Sequence, residues 1–93
     1  METKVRAHVI ISGRVQGVFF RMETKRAADV FGVFGWVKNR RDGTVEALFE
    51  GDQERVEAVL AWCQEGPGHA RVSDVKVDWQ DYAGKFSAFD VTY

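Results

Sequence analysis

The sequence predicts an α+β domain, a two-layer sandwich in which two helices cover one face of a mainly antiparallel sheet. Three observations predict it. Apolar residues recur with strand and helix periods in the order β-α-β-β-α-β, followed by one C-terminal strand. Each β-α-β half favours a right-handed crossover, so both helices fall on the same apolar sheet face. No repeat, linker or low-complexity tract divides the chain, which leaves residues 1–93 as a single domain.

The first strand is read from VRAHVIIS, Val5 to Ser12, where Val5, Ala7, Val9 and Ile11 share one face and Arg6, His8, Ile10 and Ser12 the other. Its β-branched content places it inside the sheet. Gly13 to Gly17 breaks the pattern, after which Phe20, Thr24, Ala27, Ala28 and Phe31 fall on one helical stripe that Gly32 ends in a left-handed conformation. GWVKN and TVEALFE form the second and third strands, turned at Asp42-Gly43; Val45, Ala47 and Phe49 face the helices, while Thr44, Glu46, Leu48 and Glu50 face away. Asp52 is the expected N-cap of a second helix, about Gln53 to Glu65, with Val56, Val59, Leu60 and Cys63 inward and Gly66-Pro67-Gly68 as its stop. Val75, Val77 and Trp79 share a face of the fourth strand, Phe89, Val91 and Tyr93 a face of the fifth, with Gln80 to Lys85 as the loop between them. This is the order of the ferredoxin-like sandwich, its second sheet face open to water.

Composition narrows the function classes. Thirteen Lys and Arg stand against fourteen Asp and Glu, a net charge of −1, so the broad basic footprint of non-specific nucleic-acid or anionic-membrane binding is missing. Any basic surface must be local. With 45% apolar residues the chain can form one core without disulfides or structural metal, burying roughly 60–65% of its unfolded surface. Cys63 is the single cysteine, so no intrachain disulfide or cysteine zinc site can form, which fits a reducing cytoplasm. The start METKVRAHVIISG has neither the length of a membrane span nor a signal-peptide cleavage site.

Chemistry is concentrated in two segments. In ISGRVQGVFFR, Ile11 to Arg21, a strand runs through a loop with glycines at 13 and 17 into a helix start. Glycine permits positive φ, so successive amides can turn inward as an anion nest, and the helix terminus adds partial positive charge. Arg21 can bring a guanidinium fork to the same point, which completes a cradle for a phosphoryl dianion. By itself such a loop is more often a plain strand-to-helix turn, and it lacks the GxxxxGK[ST] pattern of a Walker loop. The second segment is GWVKNRRDGTVEALFEG, Gly35 to Gly51, in which Asn39 by itself reads as a turn former.

Together the two segments resemble the signatures of the acylphosphatase family, and the resemblance spans nearly the whole chain. The first signature stands here as Ile11-Ser12-Gly13-Arg14-Val15-Gln16-Gly17-Val18-Phe19-Phe20-Arg21, the second as Gly35-Trp36-Val37-Lys38-Asn39 followed at the right spacing by Gly43, Val45 and Gly51. The resemblance implies hydrolysis of the carboxyl-phosphate bond of acyl phosphates. It implies that Arg21 and loop amides bind the phosphoryl group and that Asn39 orients the attacking water. The expected amides are those of Val15, Gln16, Gly17, Val18, Phe19 and Phe20, with Thr44 a supporting hydrogen-bond donor behind Asn39. The expected partners are small acyl phosphates and inhibitory inorganic phosphate, with no metal or other cofactor, no nucleic acid and no membrane, and with the protein a cytoplasmic monomer. The stretch GPGHARV departs from the family pattern at Gly68-His69.

The remaining polar residues read as structural. His8 sits on the sheet face away from the helices, His69 in a loop, and Cys63 on an apolar stripe. Arg40 and Arg41 are a solvated turn, with steering of anionic substrates as the other reading. Two other functions remain open on the same fold. An RNA-recognition module needs stacking aromatics and a basic groove, whereas GTVEALFE is acidic. A phosphate- or carbamoyl-phosphate-sensing or maturation module would keep the cradle as the head of a larger protein; the short chain with its own Met1 favours a free-standing enzyme.

Overall fold

The computed structural model describes residues 3–93 and carries β1 (Lys4–Arg14), α1 (Phe20–Phe31), β2 (Phe34–Asn39), β3 (Val45–Asp52), α2 (Gln53–Glu65), β4 (Arg71–Gln80) and β5 (Phe89–Val91). Met1 and Glu2, read above as the start of the domain, lie outside the described residues. The sheet order is β4-β1-β3-β2-β5, antiparallel except for the β2–β5 pair. Both helices pack on one face, giving the ferredoxin-like α+β sandwich that the periodicities predict. Among the described residues no helix is long and apolar enough to cross a membrane.

Strand register explains the core. Val9 lies between Ala47 of β3 and Val77 of β4, and Ile11 lies between Val45 and Val75, so apolar positions of three strands line up beneath the helices. Phe49 and Phe89 stack with ring centroids 5.4 Å apart, and Phe20 meets Trp62 at 5.7 Å where α1 packs on α2. Thr24 is buried on the α1 stripe, its hydroxyl satisfied by donating to the Phe20 carbonyl at 2.7 Å. Gly32 closes α1 in the left-handed region and its N–H donates to the Ala28 carbonyl. Cys63 is buried in this core, and burial pushes its thiol up to about 12, far from a reactive thiolate.

Three local expectations are corrected. Leu48 and Glu50 do not face open water: both are 1% exposed, because β3 is central and the segment after β4 crosses the second sheet face. The amides of Ala83 and Gly84 donate to the Glu50 carboxylate at 2.9 and 3.2 Å, and Arg6, its register partner on β1, brings a guanidinium nitrogen to 3.8 Å. Asp52 stands at the N-cap of α2 without capping it; its carboxylate is held by Lys4 and by Arg55. Gln80 belongs to β4 rather than to a loop, and β5 ends at Val91, so Tyr93 is not a strand residue.

The wet part of the second face is organised around Glu46, whose Oε2 lies 2.6 Å from His8 Nε2 and whose Oε1 lies 3.6 Å from Lys38 Nζ. Partial burial raises the Glu46 pKa, but the His8 hydrogen bond and the charges of Lys38, His8 and Arg40 outweigh it and hold the carboxyl below its ordinary value. A depressed folded pKa stabilises the protein above the unfolded value and stops doing so as pH falls through the folded one. Glu46→Gln is therefore expected to lower unfolding free energy at pH 7, with the gap to wild type narrowing as pH drops below 4.5. Urea titrations at several pH values check this; a gap that is constant down to pH 2 would contradict it.

Candidate active site

A register shift begins the site. Between Ser12 and Gly13 the pairing of β1 with β4 slips, and Gly13 adopts a φ of 124° so close to β4 that an added Cβ would lie 2.1 Å from the Arg71 carbonyl oxygen. Only glycine fits this bulge, after which β1 stays paired with β4 as far as Arg14. The loop that follows is pinned from inside by Val15 and Val18, which are buried, while Gly17 turns outward at a φ of 72°. Phe19, at φ 60° and ψ 22°, turns the chain into α1.

The loop is also pinned from the side. Gln16 Nε2 donates to the Arg40 carbonyl at 2.7 Å and to the Thr44 carbonyl at 2.9 Å, which ties the loop to the hairpin that carries Asn39. The hairpin is closed by Arg40 N–H donating to Thr44 O at 2.8 Å and by Asp42, which accepts from the Thr44 amide at 3.0 Å and hydroxyl at 2.6 Å. The hydroxyl bond of Thr44, followed by its amide bond, holds the Asp42 carboxyl below the usual range. The Thr44 hydroxyl, expected behind Asn39, is thus spent on Asp42, and the Thr44 carbonyl joins the site instead as an acceptor for Gln16.

Arg21 stands on the first turn of α1. Its Nη1 donates to the Thr92 carbonyl at 3.2 Å and its guanidinium lies 4.7 Å from the centroid of the Tyr93 ring. Thr92 is fixed in turn, its N–H donating to the Val37 carbonyl at 2.8 Å. The first helical amide with an acceptor is that of Glu23, which donates to Phe19 O at 3.0 Å, so the Phe20, Arg21 and Met22 amides start the helix unpaired within it, at its positive pole. Asn39 closes β2 opposite Val45, and its Oδ1 is buried without a hydrogen-bond partner. Val15, Gly17, Phe19, Phe20, Arg21 and Asn39 line one cleft of about 320 Å³ whose rim adds Met22, Val91 and Tyr93.

The structure therefore brings Arg21, Asn39, Val15, Gly17, Phe19 and Phe20 to one cleft, while the side chains of Gln16 and Val18 anchor the loop. His8 is engaged with Glu46 on the second sheet face, and His69 is exposed in the turn after α2. Arg40 and Arg41 are exposed beside Asn39, with Arg40 Nη2 3.9 Å from Asp42. Among the described residues no group of three or more His, Cys, Asp or Glu could hold a metal ion. Sequence reading used only the Gln16 backbone, because its side-chain acceptors lie 24 and 28 residues away and leave no local trace. It also missed Thr92 and Tyr93 as the support of Arg21, which lie 71 and 72 positions further along the chain.

Unpaired amides at a helix start, a guanidinium and an unsatisfied carboxamide around a small cleft define an anion-receiving site on a ferredoxin-like sandwich. The chain belongs to the acylphosphatase family, whose family model matches residues 7–91. It is 55% identical over 91 residues to an acylphosphatase of Pelotomaculum thermopropionicum, covering 98% of this chain and 99% of that one. The crystal structure of acylphosphatase from Bacillus subtilis is similar with a TM-score of 0.92 at 34% identity, covering 96% of this chain and 99% of that one. An acylphosphatase structure from Coxiella burnetii reaches 0.91 at 36% identity, over 96% of this chain and 93% of the other.

Gln16→Ala should loosen the loop against the hairpin without unfolding the core. Each lost hydrogen bond is worth about 1 kcal/mol, so phosphate affinity measured by calorimetry should fall about fivefold or more. An unchanged affinity in the folded variant would show that the tether does not position the loop.

Proposed function

We propose that this protein hydrolyses the carboxyl-phosphate bond of acyl phosphates, releasing a carboxylate and inorganic phosphate by in-line attack of water without a metal. The observation that carries the reading is Asn39 Oδ1, a buried acceptor with no protein partner, on a residue that lines the same cleft as Arg21 and the loop. A buried unsatisfied acceptor is costly, and on a residue that lines a ligand cleft it is accounted for when a bound molecule reaches it with a hydrogen bond. Water that donates to this oxygen turns a lone pair toward phosphorus.

The chemistry demands few groups. A carboxylate leaving group of pKa about 4–5 departs without a general acid, judged from ordinary carboxyl values. A loose phosphoryl-transfer transition state asks for charge stabilisation on the equatorial oxygens and an aligned nucleophile. Arg21 and the amides from about Val15 to Phe20 supply the first, Asn39 the second. Arg21 is held ready by Thr92 and Tyr93, so little reorganisation precedes the reaction. Phosphate, as product, competes for the same cradle. The single buried thiol supports a place in the reducing cytoplasm.

With purified protein and EDTA present, benzoyl phosphate should be consumed by wild type, and Asn39→Ala should lower kcat on the order of 10²-fold or more. Arg21→Lys should fail as well, since a point charge cannot reproduce the fork. The rate should vary little from about pH 5 to 8, because neither proposed group titrates there. In oxygen-labelled water the label should enter phosphate; label in the carboxylate would mean attack at carbon and remove the role given to Asn39.

A further inference from the structure

We infer that Phe19 and Met22, with Tyr93 across the rim, form an apolar collar that receives the acyl part of the substrate and selects aromatic or long aliphatic acyl phosphates over small ones. This inference rests on the hydrolase reading above and names the substrate class of that same site.

The first observation is exposure in one place. Phe19 is 74% exposed, Met22 62% and Tyr93 98%, and all three line the cleft that holds Arg21 and Asn39. Single exposed apolar side chains need no explanation, but several converging on one cleft mark a binding surface.

The second observation is backbone conformation. Phe19 is the only non-glycine among the described residues at positive φ, a conformation that is sterically costly for a bulky residue and free for glycine. Its side chain makes no capping hydrogen bond and is mostly in solvent, so neither polar satisfaction nor core burial accounts for an aromatic ring at that position. Strain of this kind persists where function uses it. Contact with the substrate's acyl group is a use that an outward-facing ring can serve.

The third observation is direction and charge. Water aligned by Asn39 attacks from the β2 side, and in-line displacement sends the leaving carboxylate to the other side of phosphorus, toward the wall built by the start of α1. Phe19 and Met22 stand on that wall. The cations next along α1 are already engaged: Lys25 with Asp29 at 3.1 Å and the Phe89 carbonyl at 2.9 Å, Arg26 with Glu23 at 3.3 Å. An apolar acyl group therefore finds partners there, whereas an additional anionic group finds cations that are already paired.

The test is a series of acyl phosphates (acetyl, propionyl, butyryl and benzoyl) assayed for kcat/KM with wild type, Met22→Ser and Phe19→Asn. Asparagine tolerates the left-handed conformation, so the second variant keeps the turn into α1. In wild type kcat/KM should rise with each methylene, up to about fourfold where the group is fully buried, and be highest for benzoyl phosphate. Met22→Ser should flatten this slope, and Phe19→Asn should lower the benzoyl-to-acetyl ratio on the order of tenfold. An active wild type with a flat series, or variants that leave the ratio unchanged, would overturn the collar alone. A folded wild type that hydrolyses none of the series would overturn the hydrolase reading and the collar with it.

Discussion

The Gln16 carboxamide sets the geometry on which the site depends. Arg21 and the amide loop come from the β1–α1 connection, Asn39 from the end of β2, and these elements are not neighbours in the sheet, since β3 lies between β1 and β2. Two hydrogen bonds from one side chain to the Arg40 and Thr44 carbonyls span that gap at the sheet end. The hairpin can accept them because Asp42 and the Arg40–Thr44 pair have already closed it. In turn the loop can offer Gln16 because Val15 and Val18 are sunk in the core on either side. Rigid placement of this kind matters where catalysis consists of orientation and charge stabilisation rather than proton transfer.

Core and cleft share Val15, Phe20 and Val91 but otherwise draw on different residues. The core is held by aligned strand positions and by Val56, Val59, Leu60 and Cys63 of α2, none of which lines the cleft. The cleft, by contrast, collects the departures from good local structure: a left-handed phenylalanine, an orphan carboxamide oxygen and exposed apolar side chains. Glu50 shows the opposite case, a buried carboxylate whose amide partners from Ala83 and Gly84 hold the long segment after β4 over the second sheet face. Both are polar atoms inside the protein. One is satisfied and structural, the other unsatisfied on a residue that lines the cleft.

Much of this was legible in the sequence because it is local. The helix ends at Gly32 and Gly66, the strand faces of β1 and the loop between Gly13 and Gly17 follow from side-chain period and glycine conformation, which act over a few residues. Arg21 and Asn39 were legible as a pair only through the two family signatures; alone, each reads as an arginine on a helix and an asparagine in a turn. What escaped was set by tertiary contact. Glu50 looks like an outward strand residue until a segment more than thirty positions away covers it. Asp52 looks like a cap until Lys4, beside it in the sheet register, takes its carboxylate. Thr44 was assigned by proximity to Asn39, but its hydroxyl found a nearer acceptor in Asp42.

The central claim is that the loop, Arg21 and Asn39 form one preorganised receptor for a phosphoryl dianion. Titration of isotope-labelled protein with inorganic phosphate, followed by amide, arginine and asparagine side-chain NMR signals, tests it most directly. The expected result is saturable shifts at the amides from Val15 to Arg21, at the Arg21 guanidinium and at the Asn39 carboxamide, with α2 and β4 unmoved. Saturable binding that shifts signals elsewhere while leaving Arg21 and Asn39 unchanged would contradict it.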